Sequence, residues 1–320
     1  MRRSSTLARL ITILLALVFT PVALVLLSLG GQTVAQGFFE FGYRQDLSPL
    51  IGPLLVQALG VLLLVVVVLT GVWSSAGLIA VGAFTVVALA MSAFPVTLSW
   101  LYRVVPPPWI DAAVYGIPLV VLPVLGVMGI VLARVRRDPR ARGAGLGALG
   151  IVLAPLLLAG GGFALAWSVA NGSLLALQRF QFDPQPLAIA AALGSVLLIV
   201  AGVGVTRWSP FALLLPGVVL LVGSIALAAA PQAVFPILTS LPRGVNVVVP
   251  TLILYGGSAT AGLLYLAFTA VLLRVRAQAR LTPPGETDAV GAAPYPPQMY
   301  PPQMYPPQGQ QPFPPAPPAA

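Results

Sequence analysis

The sequence predicts an all-α integral membrane protein, with eight transmembrane helices arranged as two parallel four-helix repeats and a disordered proline-rich tail at the C-terminus. Three observations predict this class. Of the 320 residues, 58% are hydrophobic and only 7% are charged, whereas a soluble domain carries about 25% charged residues. Long apolar stretches recur along the chain, and sparse residues such as proline, tryptophan and arginine recur at separations of 134 to 141 positions.

Eight apolar stretches are long enough to span a membrane, because crossing the hydrocarbon core takes about 20 residues. They cover residues 10–30, 50–72, 74–98, 112–133, 146–170, 187–206, 209–230 and 249–273. All five tryptophans fall at the ends of these stretches, where an indole ring prefers the headgroup region. The first stretch also resembles a signal peptide, but its apolar run of about 20 residues is longer than the usual 7 to 15. We therefore expect it to remain as a membrane helix.

Arginine accounts for all sixteen basic residues, and its distribution predicts the orientation of the chain. Twelve arginines lie on one side of the predicted spans and four on the other. Arginine-rich short loops stay in the cytoplasm, so both termini are expected on the cytoplasmic side of the plasma membrane. The net charge of +9 then favours contact with anionic lipid of the inner leaflet. Nucleic acid is not an expected partner, since binding it needs a basic face in water.

The recurring sparse residues predict that the membrane part is a duplication. The matching pairs include Pro21 with Pro155, Trp73 with Trp208, Tyr115 with Tyr255, and Arg136 with Arg276. Residues 1–142 and 143–280 are therefore expected to be copies of one another. Each copy holds an even number of spans, so the two should share one orientation and be related by an axis along the membrane normal.

Several residues are candidates for a functional interface between the two copies. Pro21 and Pro155 lie deep in paired spans, where each frees a backbone carbonyl that must face protein or a wet cavity. Tyr115 and Tyr255 are expected on the same interface. Gln57 is the only longer polar side chain within the spans; it serves either as an interhelical hydrogen-bond donor or as a substrate contact. The simpler interpretation of the prolines is that proline is common in membrane helices.

Four arginines repeat on the predicted outer face, one after each odd-numbered span. They are Arg44, Arg103, Arg179 and Arg243, and they are accompanied by Glu40, Asp46, Asp111 and Asp183. The arginines could bind lipid phosphate or an acidic partner through bidentate contacts. Alternatively, the equal number of acids predicts ion pairs that hold the loops in place.

Catalysis, cofactors and metals are not expected. The chain has no histidine and no cysteine, which removes the commonest general base, the commonest metal ligands and thiol nucleophiles. It also lacks a phosphate-binding Gly-x-x-x-x-Gly-Lys loop and any cluster of acids that could hold Mg²⁺.

The last forty residues, 281–320, change abruptly in composition, with fourteen of the 33 prolines. Three tandem pentads begin at Tyr295, Tyr300 and Tyr305, and such a segment is prone to polyproline II structure and cannot bury a core. It is expected to be disordered. Residues 282–320 either dock a cytoplasmic protein through several weak contacts or act as a spacer.

Together these features favour a non-enzymatic assembly or partner-binding component of the membrane. The alternative is a permease or flippase that moves an apolar or lipid-like substrate along the interface between the copies. In its arginine-only basic residues and in residues 294–312, the chain resembles multi-pass membrane proteins of high-GC actinobacteria. That resemblance is one of composition and implies a bacterial plasma membrane, but it identifies no family.

Overall fold

The computed structural model describes residues 6–40, 48–138 and 144–281, and every regular element in these ranges is helical. The first half contains a long helix followed by six shorter ones. These are α1 (Thr6–Glu40), α2 (Ile51–Thr70), α3 (Ala76–Ala83), α4 (Thr85–Ala93), α5 (Val96–Val104), α6 (Pro107–Val114) and α7 (Ile117–Arg137). A short 3₁₀ turn, Ser48–Leu50, precedes α2.

The second half has a similar order of elements. They are α8 (Ala144–Val169), α9 (Leu175–Arg179), α10 (Pro186–Gly204), α11 (Leu214–Ala229), α12 (Pro231–Thr239), α13 (Val245–Leu254) and α14 (Gly257–Leu281). A π-helical turn, Ala170–Leu174, joins α8 to α9, and a 3₁₀ turn, Val205–Arg207, follows α10.

The helices confirm a multi-pass membrane protein. Seven helical segments of the described chain are long and apolar enough to cross a membrane, and α11 with α12, bent by 115° at their junction, makes an eighth if the pair counts as one span. Large apolar side chains such as Leu55, Leu62, Leu156 and Leu197 are exposed on the outer surfaces of these helices. In water such surfaces would aggregate, whereas lipid solvates them.

Two predicted spans contain a break that continuous hydropathy did not reveal. Stretches 112–133 and 249–273 were expected to be single helices, but α6 ends before Tyr115 and α13 ends before Tyr255. Gly116 and Gly256 follow, with φ of +80° and +75°, a left-handed conformation that costs glycine little and other residues much more. The spans proper therefore begin later, at α7 and α14.

The seventh predicted span also begins later than expected. Residues 210–213 form turns, and α11 begins only at Leu214. Its sixteen residues cover about 24 Å at a rise of 1.5 Å per residue, which is shorter than the hydrocarbon core.

The core is centred on α7 and α14, which contact each other and also the helices of the opposite half, α10 and α2 respectively. Fourteen of the 21 residues of α7 are buried, and Phe268 and Leu264 on α14 are fully buried. Close approach of α7 to α3 depends on Gly82 and Gly126, since a Cβ on either would collide with the backbone of the other. The two halves thus share one continuous apolar core.

The tail and the loop containing Arg44 fall outside the described ranges. Residue 281, the first of the predicted disordered tail 281–320, instead ends α14. The predicted disorder of residues 282–320 and the predicted docking role of Tyr295, Tyr300 and Tyr305 concern residues beyond those that the structure describes.

Candidate functional site

Tyr115 and Tyr255 meet across the two halves. Their ring centroids lie 5.0 Å apart with an interplanar angle of 39°, a tilted arrangement that aromatic pairs favour. Each tyrosine ends a short helix and precedes a left-handed glycine, so the same local backbone presents both rings. We call the surroundings of this pair, where α7 and α14 begin, the tyrosine end.

Gln57 joins the tyrosine end through an interhelical hydrogen bond. It is 7% exposed, and its Nε2 donates to the carbonyl oxygen of Leu254 at 2.6 Å. The backbone of α1 approaches Gln57 closely at Gly30, where a Cβ would collide with the Gln57 side chain. Because Gln57 is on α2 and Leu254 is on α13, this bond links the two halves.

A carboxyl group lies beside the tyrosines. The Tyr102 hydroxyl donates to Oδ1 of Asp111 at 2.7 Å, which connects α5 to α6. Burial raises the pKa of Asp111 above its ordinary value, and the hydrogen bond from Tyr102 opposes part of that rise. Burial likewise raises the pKa of Tyr102, and the hydrogen bond and negative charge of Asp111 raise it further. The backbone N–H of Ala112 donates to Ser28 Oγ at 3.0 Å and docks α6 on α1.

The two predicted interface prolines lie elsewhere in their helices. Pro21 is exposed on α1 and lines a groove between α1, the α3–α4 segment and the start of α7. Pro155 is half-buried within α8. Of the five predicted interface residues, the structure therefore gathers Tyr115, Tyr255 and Gln57 at the tyrosine end.

The groove beside Pro21 has a volume of about 260 Å³. It is lined by apolar side chains and by Thr20, whose hydroxyl oxygen is buried. The principal lining residues are Leu17, Thr20, Pro21, Phe84, Met91 and Pro118. In the sequence, the proline within the first predicted span was the signal for this groove. The sequence did not show which neighbouring helices that proline would face.

At the opposite end of α7 and α14, two arginines make equivalent contacts that the sequence did not predict. A guanidinium nitrogen of Arg136 donates to the carbonyls of Gly71 and Val72 after α2. A guanidinium nitrogen of Arg276 donates to the carbonyls of Thr206 and Arg207 after α10, at 3.1 and 3.0 Å. Each arginine thereby satisfies carbonyls at the negative end of a helix dipole. We call this region the arginine end.

The arginines predicted on the outer face do not pair with acids in the described part of the chain. Arg103, Arg179 and Arg243 are exposed, and an ion pair joins Arg207 to Asp138 at 3.9 Å, at the arginine end. Asp111, expected to accompany Arg103, is instead bonded to Tyr102. Arg44 lies outside the described residues.

Comparison with protein-family models, with curated proteins and with solved structures finds no match to this chain. Function must therefore be argued from the chain's own geometry.

Proposed function

We propose that this chain is a non-enzymatic assembly or partner-binding component of a bacterial plasma membrane, built from two parallel four-helix repeats. The repeat is supported by matched contacts. Arg136 and Arg276 are 140 positions apart and bind carbonyls that are 135 positions apart, after the second predicted span of each half. Gly82 contacts Gly126 between α3 and α7. In the corresponding helix pair, α11 and α14, Gly217 contacts Gly262, four residues before Leu266, the residue that matches Gly126.

The observation that carries the functional proposal is the packing between the halves. A transporter that works along this interface needs a cavity there, but α7 and α14 fill it with fully buried side chains such as Leu125, Met128, Leu264 and Phe268. Tyr115, Tyr255 and Gln57 then close the tyrosine end. An interface packed in this way suits a rigid component better than a substrate pathway.

The proposed orientation places the arginine end and both termini in the cytoplasm, where arginines would contact anionic lipid. Residues 282–320 would then be available to a cytoplasmic protein partner, with Tyr295, Tyr300 and Tyr305 as repeated weak contacts. The proposal includes no nucleic acid, cofactor or metal.

The test is affinity purification from a mild detergent of the full chain and of a chain that lacks residues 282–320. We expect a stoichiometric partner with the full chain and its loss with the deletion. A matched variant in which Tyr295, Tyr300 and Tyr305 are replaced by alanine keeps the length and the prolines, and should weaken the same interaction. Recovery of identical proteins with all three chains would overturn the docking role.

The groove beside Pro21 favours a second candidate, a permease or flippase for an apolar or lipid-like substrate. Because the groove adjoins Pro21 and not Pro155, Pro21→Ala should reduce lipid movement in proteoliposomes while Pro155→Ala should not. A pathway along the repeat interface would instead be sensitive to both substitutions.

A further inference from the structure

Helix α5 (Val96–Val104) begins where a membrane span ends. The span before it, Ala76–Ala93, has 18 residues and covers about 27 Å at a rise of 1.5 Å per residue, close to the hydrocarbon thickness of about 30 Å. The backbone then leaves the helical conformation at Phe94, with φ of −122° and ψ of 83°, and Pro95 caps α5. Helices α5 and α6 therefore connect the end of this span to the start of the next at Ile117.

One face of α5 is held by the rest of the protein. Leu98 is buried, and the Tyr102 hydroxyl donates to Asp111 on α6 at 2.7 Å. Helix α6 is in turn docked on α1 through the bond from the Ala112 N–H to Ser28. The position of α5 against the protein is thus fixed by packing and by a hydrogen bond.

The opposite face of α5 is exposed and mostly apolar. Val96, Trp100 and Val104 are 52, 62 and 62% exposed, and Arg103 is exposed beside them. At 3.6 residues per turn, these four side chains lie within an arc of about 100°, on the side of the helix away from Leu98. We call them the exposed stripe.

The exposed stripe follows directly on the lipid-facing surface of the span. Val86 and Val87 are exposed on α4, and Phe94 is exposed at the junction of α4 with α5. An apolar surface that continues from a membrane span onto the next helix is solvated by the same lipid. Because α5 begins at the end of the span, the lipid beside it is the headgroup layer and the first part of the acyl chains.

We propose that α5 lies in the plane of the membrane at the tyrosine end, with the exposed stripe inserted in the headgroup layer. The Trp100 indole suits this layer because one edge is polar and the rest of the ring is apolar. Val96 and Val104 would pack on the upper part of the acyl chains. The Arg103 guanidinium would reach the phosphate groups of phospholipids and donate hydrogen bonds to their oxygens.

Charge complementarity and the bilayer itself favour lipid over a protein as the occupant of the exposed stripe. Arg103 is the charged member of the stripe, and phosphate surrounds any helix that lies in the headgroup layer. The contact needs only a bilayer, so loss of a tail-dependent partner would leave it unchanged. It also fixes the depth of Tyr102 and Asp111, which hold the other side of α5 to the tyrosine end.

The test measures the depth of two positions on the exposed stripe. The chain has no cysteine, so Val96→Cys or Val104→Cys can carry a single nitroxide in the full chain, reconstituted in vesicles of phosphatidylcholine and phosphatidylglycerol. Collision rates with oxygen and with a water-soluble nickel chelate report the depth of each label. The positions are eight residues apart, or about 12 Å along the helix, and we expect equal depths just below the phosphates. A depth difference of about 12 Å would show that α5 continues the span and would overturn the proposal.

Two reference labels calibrate the depths. Val86→Cys, at an exposed position of the span, should be open to oxygen and closed to nickel. Asp183→Cys, at an exposed position between α9 and α10, should be open to nickel. Stripe labels as open to nickel as the label at residue 183 would place the stripe in water and contradict the lipid contact. Spin–spin broadening at Val104→Cys would show that a second copy covers the stripe, which also contradicts it.

The role of Arg103 is tested by charge reversal. Arg103→Glu should move the label of Val104→Cys toward water, because a carboxylate is repelled by phosphate. Arg243→Glu is the matched control, since Arg243 is exposed but lies after α12 and outside the stripe, and it should leave that depth unchanged. Equal depths in the unmodified chain and in Arg103→Glu would rule out the phosphate contact.

A measurement without cysteine keeps the proposal testable if the labelled chains fail to fold. Phenylalanine replaces the other four tryptophans, so that Trp100 is the one fluorophore of its kind. We expect lipids brominated near the headgroup to quench Trp100 more strongly than lipids brominated near the chain ends, and iodide in water to quench it weakly. Strong quenching by iodide without quenching by brominated lipid would overturn the proposal.

Discussion

The two halves of the molecule agree at the positions that hold helices together and differ beside their first helices. Arg136 and Arg276 bind corresponding carbonyls, the tilted rings of Tyr115 and Tyr255 pack against each other, and Gly116 and Gly256 share a left-handed backbone. By contrast, Thr20 in α1 matches Ala154 in α8 at the offset of Pro21 and Pro155. Ala154 is fully buried against Val205 and Ala212.

This difference separates structural from functional features. Contacts that recur in both halves serve the common fold, so they should matter for stability in either half. One half has a groove beside an unpartnered hydroxyl, and the other half has a packed alanine at the matching position. The groove is therefore not needed for the common fold. The groove is therefore the better place to seek a property specific to this protein, and the recurring contacts are the better place to test the duplication.

The largest effect is expected at the glycine contact between α3 and α7. A Cβ on Gly82 would collide with the backbone of Gly126, which cannot move aside as a side chain could. The corresponding Cβ on Gly217 would come no closer than 3.2 Å to any atom of another residue. Gly82→Ala should therefore cost about 3 kcal/mol and Gly217→Ala about 1 kcal/mol, measured as free energies of unfolding in mixed micelles. A larger loss from Gly217→Ala would contradict this order.

The next effect should be alike in the two halves. Arg136→Ala and Arg276→Ala each remove hydrogen bonds from a charged donor to two carbonyls at a helix end. The expected loss is about 2 kcal/mol for each variant, measured by the same unfolding method. Arg134→Ala is the matched control, because Arg134 is an exposed neighbour on α7 and should have little effect. Stability loss in only one of the two variants would argue that the halves are not equivalent.

The sequence was sufficient for the helical membrane class because apolar length alone predicts spans. Tyr115 and Tyr255, which the sequence assigned to one interface, have ring centroids 5.0 Å apart. It did not predict the breaks before Gly116 and Gly256, because the apolar pattern runs through them without interruption. It also could not locate Pro21 on a groove. The face that a uniformly apolar helix presents to its neighbours is decided by tertiary packing, which periodicity does not encode.

The role of Arg136 illustrates the same limit. The sequence explained its position only by the predicted sidedness of the loop, whereas its bonds to the carbonyls of Gly71 and Val72 depend on how α7 packs near the end of α2. A repeated basic triplet, Arg134-Val135-Arg136 and Arg274-Val275-Arg276, was the available signal. Charge counting treats all the arginines of such a loop alike, but the structure distinguishes the one that satisfies helix carbonyls.

The smallest effect is expected at Asp111, which tests whether the tyrosine end is sensitive to pH. Burial raises the pKa of this carboxyl in the folded chain, so the folded state holds a proton more tightly than the unfolded state. The stabilisation is complete below the unfolded pKa and is lost as the pH rises through the folded pKa. Melting temperature should therefore fall by about 2 °C or less across that interval. Asp111→Asn keeps an oxygen acceptor for Tyr102 and should remove the pH dependence. Tyr102→Phe removes the hydrogen bond that favours the charged carboxylate, so it should move the fall in melting temperature to higher pH. A slope that persists unchanged in Asp111→Asn would assign it to another group.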